Sequence, residues 1–384
     1  MKTSPWKLAP LALLLLAAPA RAEDLLIKAA KVYTMTGAPL APGEVLVSGG
    51  KIVEVGTRLK APAGAKVIDL GAGSLLPGLV DAYSHAGIAG RSAEITREVT
   101  PEYRVLPAVD WRARAFREAL SDGTTTLGLA PGTDGVVAGL GCAVKTAGAR
   151  KALLEETGLL ITMASDPATG NTSRSRPDSI YVRQPTNRMG VVWLLRSTFD
   201  KAGREKTPEL AVVREALAGR RRTFAVSRTD NDLVSLLRLA KEFKFTPTVV
   251  GGHEAYKLRE ELAAAKVPVI LGPLTTSPSV TGPEGSDAIW NGPALLHKAG
   301  VPFALSGGQL LEQARFAVRY GLPPDAALAA ITRTPARLLG LDNRVGTLEA
   351  GHDADLVALN GDPLELTTSI QWVLVDGKTY AKGN

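Results

Sequence analysis

The chain has 384 residues and a formal net charge of +7; 45% of residues are hydrophobic, 22% charged and 5% aromatic. That composition fits a globular protein of about two or three domains and excludes collagen-like, coiled-coil and disordered classes. A single cysteine, Cys142, excludes a disulfide framework and a multi-cysteine metal centre. Only four histidines are present, His85, His253, His297 and His352, so a site built on several imidazoles needs nearly all of them.

Lys2 and Lys7 precede an apolar run from Leu8 to Ala20, and Ala20-Arg21-Ala22 supplies a small-x-small cleavage pattern. The run is shorter than the ~20 residues of a membrane-spanning helix. These features predict a signal peptide over 1–22 and export to the periplasm or medium, with no membrane contact after cleavage. Residues 1–22 carry three cations and no acid, so the +7 falls to +4. With that mild excess, and with Arg220-Arg221-Arg222 lacking interleaved aromatics, nucleic acid is not an expected partner.

Leu26-Ile27, Lys31–Tyr33, Val45–Val47, Lys51–Val55 and Lys66–Ile68 read as short strands, with Gly49-Gly50 as a hairpin turn. The far end repeats the pattern at Asp355–Leu359 and Gln371–Val375, with Asp376-Gly377 as another turn. Both ends are therefore expected to build one small β-sandwich. Between them, strand-like runs at Leu76–Val80, Thr124–Leu129, Leu159–Met163, Thr223–Val226, Thr248–Val250, Val267–Leu271 and Pro302–Leu305 alternate with amphipathic helical stretches. The helical stretches include Leu233–Phe243, Glu254–Ala265, Asp325–Ile331 and Pro335–Leu339. Such alternation argues for a parallel sheet, and the span suits a (β/α)8 barrel. A doubly wound sheet has the same local pattern, so periodicity leaves both open.

Several stretches together resemble the amidohydrolase superfamily, in its exported imidazolonepropionase-like branch. They are Val45–Gly56, Leu76-Pro77-Gly78-Leu79-Val80-Asp81, Gly123–Thr126, Pro185–Gly190, Gly251–Leu258, Pro268–Pro273, Thr332–Gly340 and Val345–Leu356. The resemblance implies a (β/α)8 barrel over 77–344, a composite β-sandwich from 23–76 and 345–384, and metal-dependent hydrolysis of C–N bonds.

It also implies a metal site, and here the sequence departs from the pattern. Relatives carry His-x-His on the first barrel strand, since residues i and i+2 share a strand face. Here Tyr83 precedes His85, and a phenol of pKa near 10 is a poor ligand beside imidazole. Asp81 lies four residues back, about 13 Å along an extended strand, and does not substitute. The fifth strand, expected to supply another histidine, reads Val226-Ser227-Arg228, and Arg228 brings a fixed positive charge. His253 falls at the sixth-strand ligand position. The catalytic aspartate of the eighth strand is replaced by glycine at Gly308, within one residue. Lys145 is a loosely aligned candidate for a bridging carbamylated lysine.

His85 and His253 are thus the expected surviving metal ligands, with Tyr83, Ser227, Arg228 and Gly308 lining the pocket. Catalytic zinc usually takes three protein ligands and a water, so the expectation is no metal or one weakly held divalent ion, zinc foremost. His297 reads as a helix-surface residue and His352 as part of the sandwich return. A P-loop is excluded by Val144 in the required glycine position, and no G-x-S-x-G elbow is present. The expected role is a degenerate amidohydrolase that binds a small molecule or partners an active homologue, as a homo- or hetero-oligomer. The competing expectation is a hydrolase of cyclic amides or small peptide-like substrates using a mononuclear site around His85 and His253.

Overall fold

The computed structural model of the protein describes residues 24–171, 184–274 and 287–382. The apolar run 8–20 and its cleavage site lie outside them. The chain opens with six strands: β1 (Leu25–Ala29), β2 (Lys31–Val32), β3 (Gly43–Ser48), β4 (Lys51–Gly56), β5 (Lys66–Asp69) and β6 (Ser74–Pro77). Four of them form a sheet in the order β4-β3-β1-β5. Ser48 pairs with Lys51, leaving Gly49 and Gly50 as a two-residue loop at φ +59° and +80°. That left-handed pair matches the strand twist in a type I′ turn.

The middle of the chain runs through β7 (Leu79–Ser84), α1 (Arg114–Ser121), β8 (Thr124–Leu129), β9 (Val137–Leu140), β10 (Cys142–Lys145), β11 (Ala152–Leu154) and β12 (Leu159–Thr162). It continues with α2 (Asp166–Asn171), α3 (Arg188–Arg204), α4 (Ala211–Leu217), β13 (Thr223–Val226), α5 (Asp230–Phe243), β14 (Pro247–Val250), α6 (Arg259–Ala264) and β15 (Val269–Leu271). Then come α7 (Gly292–Lys298), β16 (Phe303–Leu305), α8 (Leu310–Arg319), α9 (Pro324–Ala329) and α10 (Arg333–Leu339). The chain finishes with β17 (Leu356–Leu359), β18 (Ile370–Val375) and β19 (Lys378–Lys382). These last strands join β6 and β2 of the opening set in the order β19-β18-β17-β6-β2, so strands from both ends share one sheet.

The middle strands form two arcs, β11-β10-β8-β7 and β16-β15-β14-β13-β12-β9. β12 through β16 are parallel, and β7 is parallel to β8. The alternation expected of a wholly parallel sheet is broken where β9 runs antiparallel to β12 and β10 antiparallel to β8. A single residue, Gly141, separates these two strands, too little for a helical crossover. No strand ladder closes the two arcs among the described residues. At one seam the strands are bridged instead: Leu305 N–H donates to Ala330 O (2.8 Å) and Val80 N–H to Ile331 O (2.9 Å).

The two faces of the arcs are packed differently, as a period of two requires. Ile161, Ala225, Val249, Val269 and Leu305 pack with helix residues such as Leu195, Phe199, Leu236 and Leu262. Their neighbours Leu160, Phe224, Val226, Val250, Ile270 and Ala304 instead meet Val80, Ala82 and Ala143 of the other arc, capped by Leu339, Leu341 and Val345. The two arcs therefore share one inner core, and the ends of their strands gather above it.

Candidate functional site

Six strand ends supply the residues of interest: Tyr83 and His85 at the end of β7, Asp166 beyond β12, Ser227 and Arg228 beyond β13, His253 beyond β14, Gly272 beyond β15, and Ser306 to Gly308 beyond β16. The parallel arrangement delivers them all to one side. The His85 ring stands edge-on to Tyr83, with centroids 5.1 Å apart. His85 is exposed, and its Nδ1 lies 2.9 Å from the carbonyl of Ala130. Burial raises the pKa of Tyr83, against the pull of the nearby Arg228 charge, so its phenol stays protonated.

Arg228 dominates the electrostatics. Its guanidinium grips the carboxylate of Asp166 with two parallel hydrogen bonds, the Nη2–Oδ1 bond measuring 2.9 Å. Thr133 Oγ1 donates to the same carboxylate at 3.0 Å. Both members of the pair are only about a quarter exposed, and a bidentate Arg–carboxylate pair is the strongest geometry such groups can adopt. The Arg228 backbone N–H is held by Asp232 Oδ2 at 3.0 Å, within the capping box that starts α5 at Thr229.

His253 is largely buried, and burial lowers its pKa, reinforced by the Arg228 charge. A hydrogen bond with the Gly272 backbone opposes that shift; among the described residues, His253 Nδ1 and Ser227 Oγ are buried atoms without a hydrogen-bond partner. Ser227 is fully buried rather than open to the mouth. Gly308 takes φ +79°, and its N–H donates to Asp81 Oδ2 at 3.2 Å. Asp81 also accepts from Gly307 N–H (3.1 Å), Ser306 Oγ (2.5 Å) and Tyr83 N–H (3.1 Å). Its complete burial raises the carboxyl pKa, although these four donors oppose the shift.

Tyr83, His85, Arg228 and His253 are thus drawn to one mouth, while Gly308 belongs to a loop clasped by Asp81. Asp81 does reach the eighth-strand loop, a juxtaposition hidden in a sequence where the partners lie 225 to 227 positions apart. Asp166 was likewise invisible; its one local signal is a Ser-Asp pair opening a helix. Among the described residues, no group of three or more His, Cys, Asp or Glu is arranged to hold a metal ion.

Lys145 is far from the mouth in role. Its side chain is only 7% exposed, and its ammonium binds Asp353 (2.8 Å), Asp355 (3.1 Å) and Asp376, tying β10 to the sheet made by the chain ends. Those carboxylates raise its pKa despite burial. A carbamate there would set a fourth negative charge among three carboxylates, so the bridging-lysine expectation fails on electrostatics. His297 is an exposed residue of α7. His352 is only 11% exposed at its side chain and contacts Thr347 Oγ1 at 3.1 Å.

Comparison with known proteins accords with this architecture. The amidohydrolase family pattern matches residues 285–381. Amidohydrolase tasK of Hapsidospora irregularis is 25% identical over 390 residues, covering 87% of this chain; the chain spans 39% of that relative's length. The crystal structure of a prolidase complexed with N-methylphosphonate-L-proline superposes with a TM-score of 0.59 at 19% identity, over 94% of this chain and all of the other. A crystal structure of an amidohydrolase from Thermotoga maritima MSB8 shares 30% identity with a TM-score of 0.84, covering 93% of this chain and 100% of the other. With that identity and coverage over the whole fold, the chain belongs to the amidohydrolase family.

Proposed function

We propose that this protein is an exported amidohydrolase of the imidazolonepropionase-like branch in which metal-dependent hydrolysis is lost or weak, and whose mouth serves to bind a small molecule. The observation that carries the reading is the Arg228–Asp166 clamp at the fifth-strand ligand position. A fixed guanidinium opposes a divalent cation beside it, and Asp166 already spends both oxygens on that guanidinium. His85 is turned to the Ala130 carbonyl through Nδ1. The donors present therefore do not fit a three-ligand zinc site.

In the same proposal the two arcs act as one closed (β/α)8-type barrel over 77–344, supported by their shared inner core and the bridged seam. The composite sandwich takes in 23–76 and 345–384, and residues 1–22 are removed on export. One observation favours a second reading, an active mononuclear amidohydrolase around His85 and His253: the Nδ1 of His253 is buried without a hydrogen-bond partner among the described residues, as suits a metal-binding imidazole nitrogen.

Elemental analysis of the purified mature chain, with turnover of N-acyl amino acids and cyclic amides before and after chelation, separates the readings. Substoichiometric zinc and no chelator-sensitive turnover are expected. One tightly held zinc per chain, lost together with activity on chelation and in His253→Ala, overturns the proposal in favour of the second reading.

A further inference from the structure

Helices α3 and α5, with α2 beside them, border an open cleft of about 1060 Å³. Its apolar surface is unusually bare. Met189 is 78% exposed and Trp193, one turn further along α3, is 60% exposed. Large side chains of this kind on a helix face, flanked by arginine, are typical anchors of protein contacts. The described lining residues include Arg188, Arg196 and Arg238 but no carboxylate. Arg196 is paired with Glu242 at 2.6 Å, whereas Arg238 is exposed and makes no ion pair among the described residues.

A complementary feature stands elsewhere on the same chain. The loop 362–368, between β17 and β18, carries Leu366 at its tip, 75% exposed, beside the exposed Glu365. Glu365 has no ion-pair partner among the described residues. The loop is stiff despite its exposure. Arg315 of α8, only 7% exposed, donates from Nε to Pro363 O (2.9 Å) and from Nη2 to Thr368 O (2.8 Å). Asp362 anchors the loop's start by accepting from Tyr33 Oη at 2.7 Å. A knob held this firmly loses little freedom when it docks.

We propose that the loop 362–368 of one copy of this chain inserts Leu366 into the α3–α5 cleft of a second copy, with Glu365 meeting Arg238. Knob and cleft match in polarity and in charge: apolar tip against Trp193 and Met189, unpaired acid against unpaired base. Because the two surfaces are different patches, the contact is heterologous, and its repetition gives a ring or an open chain of copies.

Sedimentation velocity of the mature chain over a wide concentration range tests this. The expected result is concentration-dependent self-association, weakened roughly tenfold or more by Trp193→Glu and by Leu366→Lys. Arg238→Glu and Glu365→Arg should each weaken it, and the double variant carrying both should recover it. Circular dichroism checks that these surface variants stay folded. A chain that remains monomeric at every concentration overturns the proposal, leaving the cleft to a different protein. So does association indifferent to Trp193 and Leu366, or single charge reversals that the double variant fails to rescue.

Discussion

Replacing Lys145 by Met tests the energetics of the joint between β10 and the sheet built by the chain ends. The ammonium faces Asp353, Asp355 and Asp376, and these lose unequal amounts when it goes. Asp353 keeps Lys51 at 2.5 Å and Arg344 at 2.8 Å. Asp376 has 44% of its side chain exposed and can be hydrated. Asp355 has neither remedy: it is fully buried, and among the described residues its Oδ2 has no partner and only the Asp376 N–H (2.9 Å) remains to Oδ1. Stranding a buried charge in this way costs about 3–5 kcal/mol. Burial already lifts the Asp355 pKa to about 6, against the pull of Lys145. A carboxyl raised above its unfolded value favours the fold most at low pH, and that contribution is lost as pH rises from about 4 through about 6. Without Lys145 the carboxyl rises further. Lys145→Met should therefore lose about 3–5 kcal/mol at pH 8 but only about 1–2 kcal/mol at pH 5, where Asp355 is largely protonated. Adding Asp355→Asn should recover much of the loss at pH 8. Urea unfolding followed by circular dichroism at both pH values reads these differences. An equal loss at pH 5 and pH 8, or a loss under about 1 kcal/mol at pH 8, would refute the assignment of the cost to a stranded carboxylate.

Two further outcomes follow from close packing. Gly272 adopts φ +141°, and a Cβ there would lie 1.9 Å from the backbone oxygen of Ser306; Gly272→Ala should cost more than about 4 kcal/mol, seen as lost soluble yield or a collapsed melting transition. A normally stable variant would mean that the β15 and β16 ends are not locked together. Cys142 is fully buried in β10, and burial pushes its thiol pKa up to about 12. The native protein should ignore a thiol reagent such as dithionitrobenzoate at pH 8 and react fully once unfolded; rapid stoichiometric labelling of the native chain contradicts this.

Much of the fold is legible in the sequence because local chemistry decides it. Gly49-Gly50 and Asp376-Gly377 announce their turns, and both pairs do take positive φ. Strands β13 to β16 and helix α5 fall where apolar periodicity expects them. The expected strand Leu76–Val80 is in fact two, β6 and β7, broken at Gly78 and shared between different sheets. The Pro77-Gly78 pair marks that change of partner, although its apolar flanks read together as one strand. The antiparallel β9–β10 excursion is harder to see, since Gly135, Gly139 and Gly141 interrupt its apolar residues. At the site, His85, His253, Tyr83 and Arg228 are visible as residue types in register with a family pattern. What the sequence hides is pairing across distance. Asp166 lies 62 positions from Arg228, and the Lys145 partners lie 208 or more positions away. Nothing short-range encodes such contacts.

The sheet shared by the two chain ends has a consequence for how the molecule is made. Ser74 of β6 pairs with Leu359 of β17, and no closer-lying strand takes that edge. Leu359 lies 285 positions after Ser74, so a ribosome must extend the chain past β17 before that edge of β6 is covered; until then only the edge facing β2 can be paired. Such long loop closure gives a high contact order and slow maturation. A nascent chain shortened by a few dozen residues at its carboxyl end would keep its inner core residues yet leave β2 and β6 as an adhesive margin.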